Sequence, residues 1–264
     1  MTIPMVLDIL FPPTLLLTGA SVLTLLSLAI LGVLEIRGIN MKYSKFVNAA
    51  SSSSSISFKV PSRVGMLLLY TPAFLVGVAS FWLYPADDSR FLFLKSAVTI
   101  HFFKRLFEVI FIHKYSGEMS LDTILIILVS YFFVSLSLIY TQTFNQGLSE
   151  PSIDLKYLGI VLFLIGISGN FYHHYLLSKL RTKGDKEYKI PKGGLFELVI
   201  CPHYLFEILE FLGISLISQT LYSFSVTLGS ALYLMCRSYV TRKWYVSKFE
   251  DFPKEVKAFI PFVF

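Results

Sequence analysis

The chain has 264 residues, of which 55% are hydrophobic and only 15% charged, whereas ordinary soluble domains carry about a quarter charged residues. That balance excludes a single soluble globular domain and points to a polytopic membrane protein. A formal net charge of +6 raises nucleic acid as a partner, but the lysines and arginines lie between apolar runs and form no continuous stripe, so none is expected.

Seven apolar spans follow in order, each near the ~20 residues a bilayer requires. The first runs from about Phe11 to Leu34. It has no positive segment before it and is longer than a signal-peptide core, so it reads as a retained anchor. A basic loop with the serine run Ser51 to Ser55 comes next. Further spans are expected over about Val64 to Tyr84, Arg90 to Ile112, Leu121 to Phe144, Tyr157 to Leu177, Leu195 to Ser218 and Leu221 to Tyr239, with an interfacial tail from Thr241. The predicted fold is therefore an all-α bundle of seven transmembrane helices. Residues 1–110 are expected to build part of a substrate pocket and residues 111–264 a catalytic domain, together forming one integrated bundle. Lysine and arginine concentrate after spans one, three and five and in the tail, whereas Asp87, Asp88, Glu150 and Asp154 lie in the other loops. By the positive-inside rule the C-terminus faces the cytosol.

The stretch from Asn170 to Glu210 stands out. A charge at the centre of a membrane helix costs about 2.5 to 3.5 kcal/mol on insertion scales, so polar groups there mark a working site or a lock between helices. Asn170, His174 and Arg181 recur at helical spacing, and His203, Glu207 and Glu210 sit at i, i+4 and i+7 on the next span. The loop between them supplies Lys179, Arg181, Lys183, Lys186, Lys189 and Lys192, which suit a phosphorylated ligand or anionic lipid. The five histidines are too few, and too scattered, for a membrane di-iron centre, and Cys201 and Cys236 are not spaced as a metal knuckle. No metal is expected. Neither a dinucleotide fingerprint nor a phosphate loop is present, so any nucleotide must be held by side chains of the helices.

The sequence YKIPKGGLFELVICPHYLFEILEFLG, the later Arg237 and the ending FEDFPKEVKAFIPFVF resemble the C-terminal domain of the steroid 5α-reductase family, which also includes very-long-chain enoyl-CoA reductases and polyprenol reductases. The resemblance implies a seven-helix protein of the endoplasmic reticulum membrane that uses NADPH to reduce a conjugated double bond, with hydride going to the carbon β to a carbonyl and a proton to the α carbon. It places Asn170, Arg181, Glu207, Arg237 and Tyr245 at cofactor-binding positions, with Tyr43 as a further contact. Lys189 stands where arginine is usual, His174 where the family has aspartate, His203 where it has asparagine, and Thr241 where it has histidine.

At the carbonyl the pattern departs further. Steroid reductases of this family use a glutamate in span two and a tyrosine in span three, and here Tyr70 and Phe102 occupy those positions. Tyr70 is the expected carbonyl donor, with Glu207 as its catalytic companion, and Phe74, Phe102 and Phe206 are expected against the lipophilic substrate. Span three, with His101, Lys104, Arg105, Glu108 and His113, is closer to the enoyl-CoA branch. The chain nevertheless lacks the N-terminal extension common there, and the expectation leans to a Δ4-3-keto steroid, with enoyl-CoA or polyprenol reduction as the alternative. The run CPHYLFE also suits membrane methyltransferases that use S-adenosylmethionine, a more distant alternative.

Overall fold

The computed structural model describes residues 8–39, 58–85, 88–115, 117–180 and 187–264. Seven long α-helices lie among them: α1 (Leu15–Ile36), α2 (Ser62–Leu83), α3 (Ser89–Phe107), α4 (Leu121–Thr143), α5 (Lys156–Lys179), α6 (Pro202–Ser218) and α7 (Leu221–Lys248). A π-helical turn, Glu108–Ile112, extends α3. The two strands β1 (Lys59–Pro61) and β2 (Glu118–Ser120) pair antiparallel just ahead of α2 and α4. Of the helices, α1, α2, α4 and α5 are long and apolar enough to cross a membrane, so this is an integral membrane protein. Their outward faces carry bare aliphatics such as Leu16, Leu23 and Leu75, as lipid contact requires.

Hydrogen bonding at the two ends of the bundle fixes the alternation of the helices. At one end the guanidinium of Arg90, at the start of α3, donates to Glu150, to Asp154 (2.7 Å) and to the carbonyl of Ile217 (2.7 Å). Gln219 has a left-handed backbone, φ 49°, in the turn between α6 and α7. Its amide donates to the carbonyls of Ile9 and Ile153, and its oxygen accepts from Arg90. The starts of α1, α3, α5 and α7 are thereby tied together. The β-ribbon, where α2 and α4 start, marks the opposite end.

Two sequence boundaries move. Helix α6 was expected from about Leu195 but begins at Pro202, which suits the first helical turn because its missing N–H is not needed there. Residues Gly194–Glu197 form a short 3-10 turn instead, and Val199 pairs with Lys257 of the tail. Helix α7 runs on to Lys248, past the expected end at Tyr239, because its last turns pack inward through Thr241 and Tyr245 although their hydropathy has fallen. Thr241 is therefore a buried helical residue, not part of an interfacial tail.

Helices α5 and α6 approach closely through glycine. A Cβ at Gly166 would lie 2.4 Å from the Glu210 nitrogen, and one at Gly213 would lie 2.4 Å from the Phe163 nitrogen. Backbone cannot retreat from such contacts, so the small residues set the helix separation. Gly213→Ala is expected to cost about 1–3 kcal/mol and lower the melting temperature in detergent, whereas Gly19→Ala on α1, with nothing within 4 Å of its added Cβ, leaves it unchanged. Equal melting of the two variants would contradict this packing.

Candidate active site

Helix α3 brings a row of ionisable groups into the bundle: His101, Lys104 and Glu108 are all buried, and the Arg105 side chain nearly so. Each finds a partner, as a charge removed from water must. Lys104 donates to Asn170 Oδ1 and lies 3.6 Å from Glu108. Arg105 donates to Glu108 (3.0 Å) and to the Tyr70 hydroxyl, and meets His174 Nδ1 at 3.2 Å. That nitrogen is also 2.9 Å from Glu108 Oε1, so it serves the carboxylate when protonated and the guanidinium when not. Glu108, His113 and His174 bring ligand-type atoms within 4.8 Å of one another. Arg105 bonds to two of those three residues, Glu108 and His174.

Asn170, fully buried on α5, joins this network to α6. Its amide nitrogen donates to the His203 carbonyl (2.7 Å) and reaches Glu207 Oε2 at 3.4 Å. Two cavities lie on either side of that link. The first, about 250 Å³, is the more polar of the two, and its walls include Lys114, Lys189, His203, Arg237, Thr241 and Tyr245. Arg237 is held there by the Glu35 carboxylate of α1, whose two oxygens accept from Nη1 at 2.7 and 2.6 Å. The Tyr245 hydroxyl donates to the Lys189 carbonyl at 3.4 Å, which fixes the strand of chain leading to α6. The second cavity, about 150 Å³, is apolar and bounded by α1, α3, α4, α6 and α7, with Val98, His101, Phe102, Tyr131, Glu207 and Phe211 in its walls. Glu207 thus borders the greasy cavity while the residue one turn before it borders the polar one. A cationic, tyrosine-rich cavity fits a ligand with phosphates and flat rings, and the adjoining cavity fits a lipid.

The structure gathers most of the expected residues. His203, Lys189, Arg237, Thr241 and Tyr245 line the polar cavity, Asn170 and Glu207 form the partition, and His174 stands behind it. Tyr70 stacks on Tyr131, ring centroids 5.5 Å apart, and lies tilted against Phe102 at 6.4 Å; both neighbours wall the apolar cavity. Phe74 packs with Phe103, and Phe206 stacks on His173; these two line neither cavity, and Tyr70 stands one layer behind the apolar cavity's wall, against Tyr131 and Phe102. Tyr43 and Arg181 lie outside the described residues. His173 is structural: its Nδ1 donates to the Gly169 carbonyl and its Nε2 accepts from Leu195 N, stapling the Gly193–Gly194 turn to α5. The hub of Lys104, Arg105 and Glu108 and the clamp from Glu35 were not singled out as site residues. The signal for the hub was helical spacing inside an apolar run, the same that exposes Asn170 and His174.

With the geometry in view, the class is a helical membrane protein whose buried polar site joins a cationic cavity to an apolar one. The chain belongs to the 3-oxo-5-alpha-steroid 4-dehydrogenase family, which it matches over residues 119–264. It is 29% identical over 254 residues to 3-oxo-5-alpha-steroid 4-dehydrogenase 2 of Macaca fascicularis, covering 94% of this chain and 96% of that enzyme. It is 34% identical to the very-long-chain enoyl-CoA reductase of Dictyostelium discoideum, over 69% of this chain and 62% of that enzyme's length. A steroid 5-alpha-reductase of Gossypium hirsutum is 42% identical over 107 residues, 40% of this chain and 42% of that enzyme.

His113, just past the end of α3 at the mouth of the polar cavity, is pushed down to about 4, first by burial and then by the charge of Arg105, against the pull of Glu108. The unfolded chain takes up a proton at His113 as pH falls below about 6.5, whereas the folded protein does so only near pH 4. Stability therefore declines as pH falls through that window, by at most about 3 kcal/mol. Melting curves at pH 7, 5.5 and 4 are expected to show a shallower decline for His113→Asn than for the wild type. Parallel declines would contradict a neutral, half-buried His113.

Proposed function

We propose that this protein is a reductase of the endoplasmic reticulum membrane that uses NADPH to saturate the carbon–carbon double bond of an α,β-unsaturated lipid ketone, in the first place a Δ4-3-keto steroid. The observation that carries this reading is the Asn170–Glu207 partition, which sets a cationic cavity against an apolar one across a single helical turn. In this reading all seven helices cross the bilayer. The polar cavity opens on the side of Lys59, Arg63, Lys114 and Lys189, away from Glu150 and Asp154, and this charge asymmetry supports a cytosolic C-terminus, where soluble cofactor is supplied.

The lining fits NADPH. Arg237, Lys189 and Lys114 offer cations to its phosphates, and Tyr188, Tyr204 and Tyr245 offer flat faces to its rings. Tyr43 and Arg181 join this set by resemblance. Glu35 holds Arg237 in place, so the guanidinium need not be ordered anew on binding. Asn170 and Glu207 orient the nicotinamide end at the partition, with His174 fixing the network behind them. When bound, NADPH supplies the hydride that adds to the β carbon.

Tyr70 hydrogen-bonds the substrate carbonyl. Its oxygen already accepts from Arg105, leaving its own proton to donate, and a hydroxyl polarised in this way donates more strongly. The donor stabilises enolate charge as it develops on the carbonyl oxygen, a contribution worth roughly 3 kcal/mol in comparable oxyanion sites. Phe102 and Phe211 give the substrate an apolar bed and exclude water. A thioester enone asks for the same chemistry, and the identity to the Dictyostelium enoyl-CoA reductase supports that class as the second reading.

Purified protein supplied with NADPH and a panel of 3-keto-4-ene steroids, enoyl-CoAs and polyprenols is expected to consume NADPH with a steroid, and to transfer no methyl group from S-adenosylmethionine. Consumption only with an enoyl-CoA would move the assignment to the second reading, and methyl transfer would end it. For Tyr70→Phe, turnover is expected to drop about 100-fold with NADPH affinity unchanged, and full turnover would remove Tyr70 from the mechanism.

A further inference from the structure

Beside the partition, the apolar cavity contains a second buried pair that the mechanism above leaves unused. His101 of α3 lines the cavity, its ring 4.7 Å from Phe102 edge-on and 5.3 Å from Phe211. Its Nδ1 lies 2.7 Å from Glu210 Oε1, and both side chains are almost wholly buried. Among the described residues, the other ring nitrogen, Nε2, has no hydrogen-bond partner, and neither does Glu210 Oε2. The backbone of Glu210 packs directly against Gly166 of α5, which fixes where its side chain starts.

Glu210 has two basic neighbours, His101 at 2.7 Å and Lys104, whose charge it attracts. The pair is neutral as a whole when His101 is an imidazolium on an ionised Glu210. The carboxylate then fixes the ring through Nδ1 and leaves an Nε2–H on the cavity side, which is how a carboxylate sets a histidine's tautomer and orientation in proton-transfer sites. A purely structural histidine would have both nitrogens engaged within the protein, as His173 does.

We propose that His101 is the general acid of this site and that Glu210 is its positioning residue; this rests on the reductase reading above. Hydride addition at the β carbon moves the π electrons onto the carbonyl oxygen and leaves an enolate held by Tyr70. The His101 Nε2–H bond then breaks as a C–H bond forms at the α carbon, and the enolate electrons restore the carbonyl. Neutral imidazole remains, with its Nδ1–H on Glu210, and regains a proton from water between turnovers. The net reaction consumes one enone, one NADPH and one proton. Tyr70 and His101 thus divide the work: Tyr70 stabilises charge on oxygen, and His101 delivers the proton to carbon.

The test uses the full-length protein in detergent or nanodiscs, with NADPH affinity and melting temperature measured beside turnover. His101→Ala is expected to lose about 100-fold in kcat with NADPH affinity within twofold of wild type, and added imidazole is expected to restore part of the rate in proportion to its concentration. Glu210→Gln is expected to lose about tenfold in kcat with the KM for the enone little changed. The conservative His101→Gln keeps the volume and one hydrogen bond, and it is expected to bind NADPH and melt normally yet remain as slow as the alanine variant. Overturning results are a His101→Gln protein within threefold of wild-type kcat, an alanine variant that imidazole does not rescue, or failure of both His101 variants to fold, which would make the pair a packing element. If the wild type reduces no enone at all, the reductase reading fails first and the proposal falls with it.

Discussion

The organisation of this protein depends on where α3 can put its charges. Arg90, Lys95, His101, Lys104 and Glu108 follow one another along that helix, and each is at most 7% exposed. Stripping a charged group of water costs several kcal/mol unless it is paired, so α3 is stable only at the centre of a bundle whose other helices supply counter-groups. Glu150, Asp154 and Gln219 receive Arg90 at one end, and Asn170, His174 and Glu210 receive the rest. Lys95 reaches the Tyr84 carbonyl at 2.7 Å and lies over the rings of Phe81 and Phe91. The neighbours of α3 are fixed by charge and hydrogen bonding as much as by apolar packing.

The same pairing makes the two cavities. The close glycine contact of α5 with α6 holds Asn170 near the His203 carbonyl and Glu207, while α7 tilts Arg237 toward Glu35 of α1. The space beside the first link is cationic because Arg237, Lys189 and Lys114 border it, and the space beyond it is apolar because α1, α3, α4 and α7 present aliphatic and aromatic faces there. The chain's terminal segment closes the polar side: Lys257 exchanges backbone hydrogen bonds with Leu198 and Ile200, and Phe252 and Val256 pack with Ile200, Cys201 and Tyr245. The part of the ending from Phe252 to Phe259 therefore braces the wall of the polar cavity, while Phe262 and Val263 stay exposed.

How much of this was legible follows from which forces are local. Helices α1, α2, α4 and α5 start and stop within a few residues of the hydropathy boundaries, because a bilayer-length apolar run has little choice of structure. The start of α6 was not legible, since Val199 is held out of the helix by Lys257, far along the chain. The end of α7 was missed because hydropathy falls where the helix leaves the apolar layer while its inward face stays buried at Thr241 and Tyr245. In the site, Asn170, His203 and Glu207 could be read from their spacing on single helices. Glu35 sits at the polar edge of the first span and looks like a loop residue until Arg237, 202 residues later, is brought against it. Tyr70 was singled out by resemblance, but the guanidinium of Arg105 on its oxygen depends on how α2 meets α3.

The central claim is that the polar and apolar cavities are two halves of one reaction site, and it is tested most directly by following the hydride. Purified protein would be given NADPH carrying deuterium at the transferable position together with a 3-keto-4-ene steroid in ordinary water, and the product examined by mass spectrometry and NMR. The account predicts one deuterium at the β carbon and a solvent hydrogen at the α carbon. A saturated product without deuterium at the β carbon, or NADPH consumed with the steroid unchanged, would contradict it.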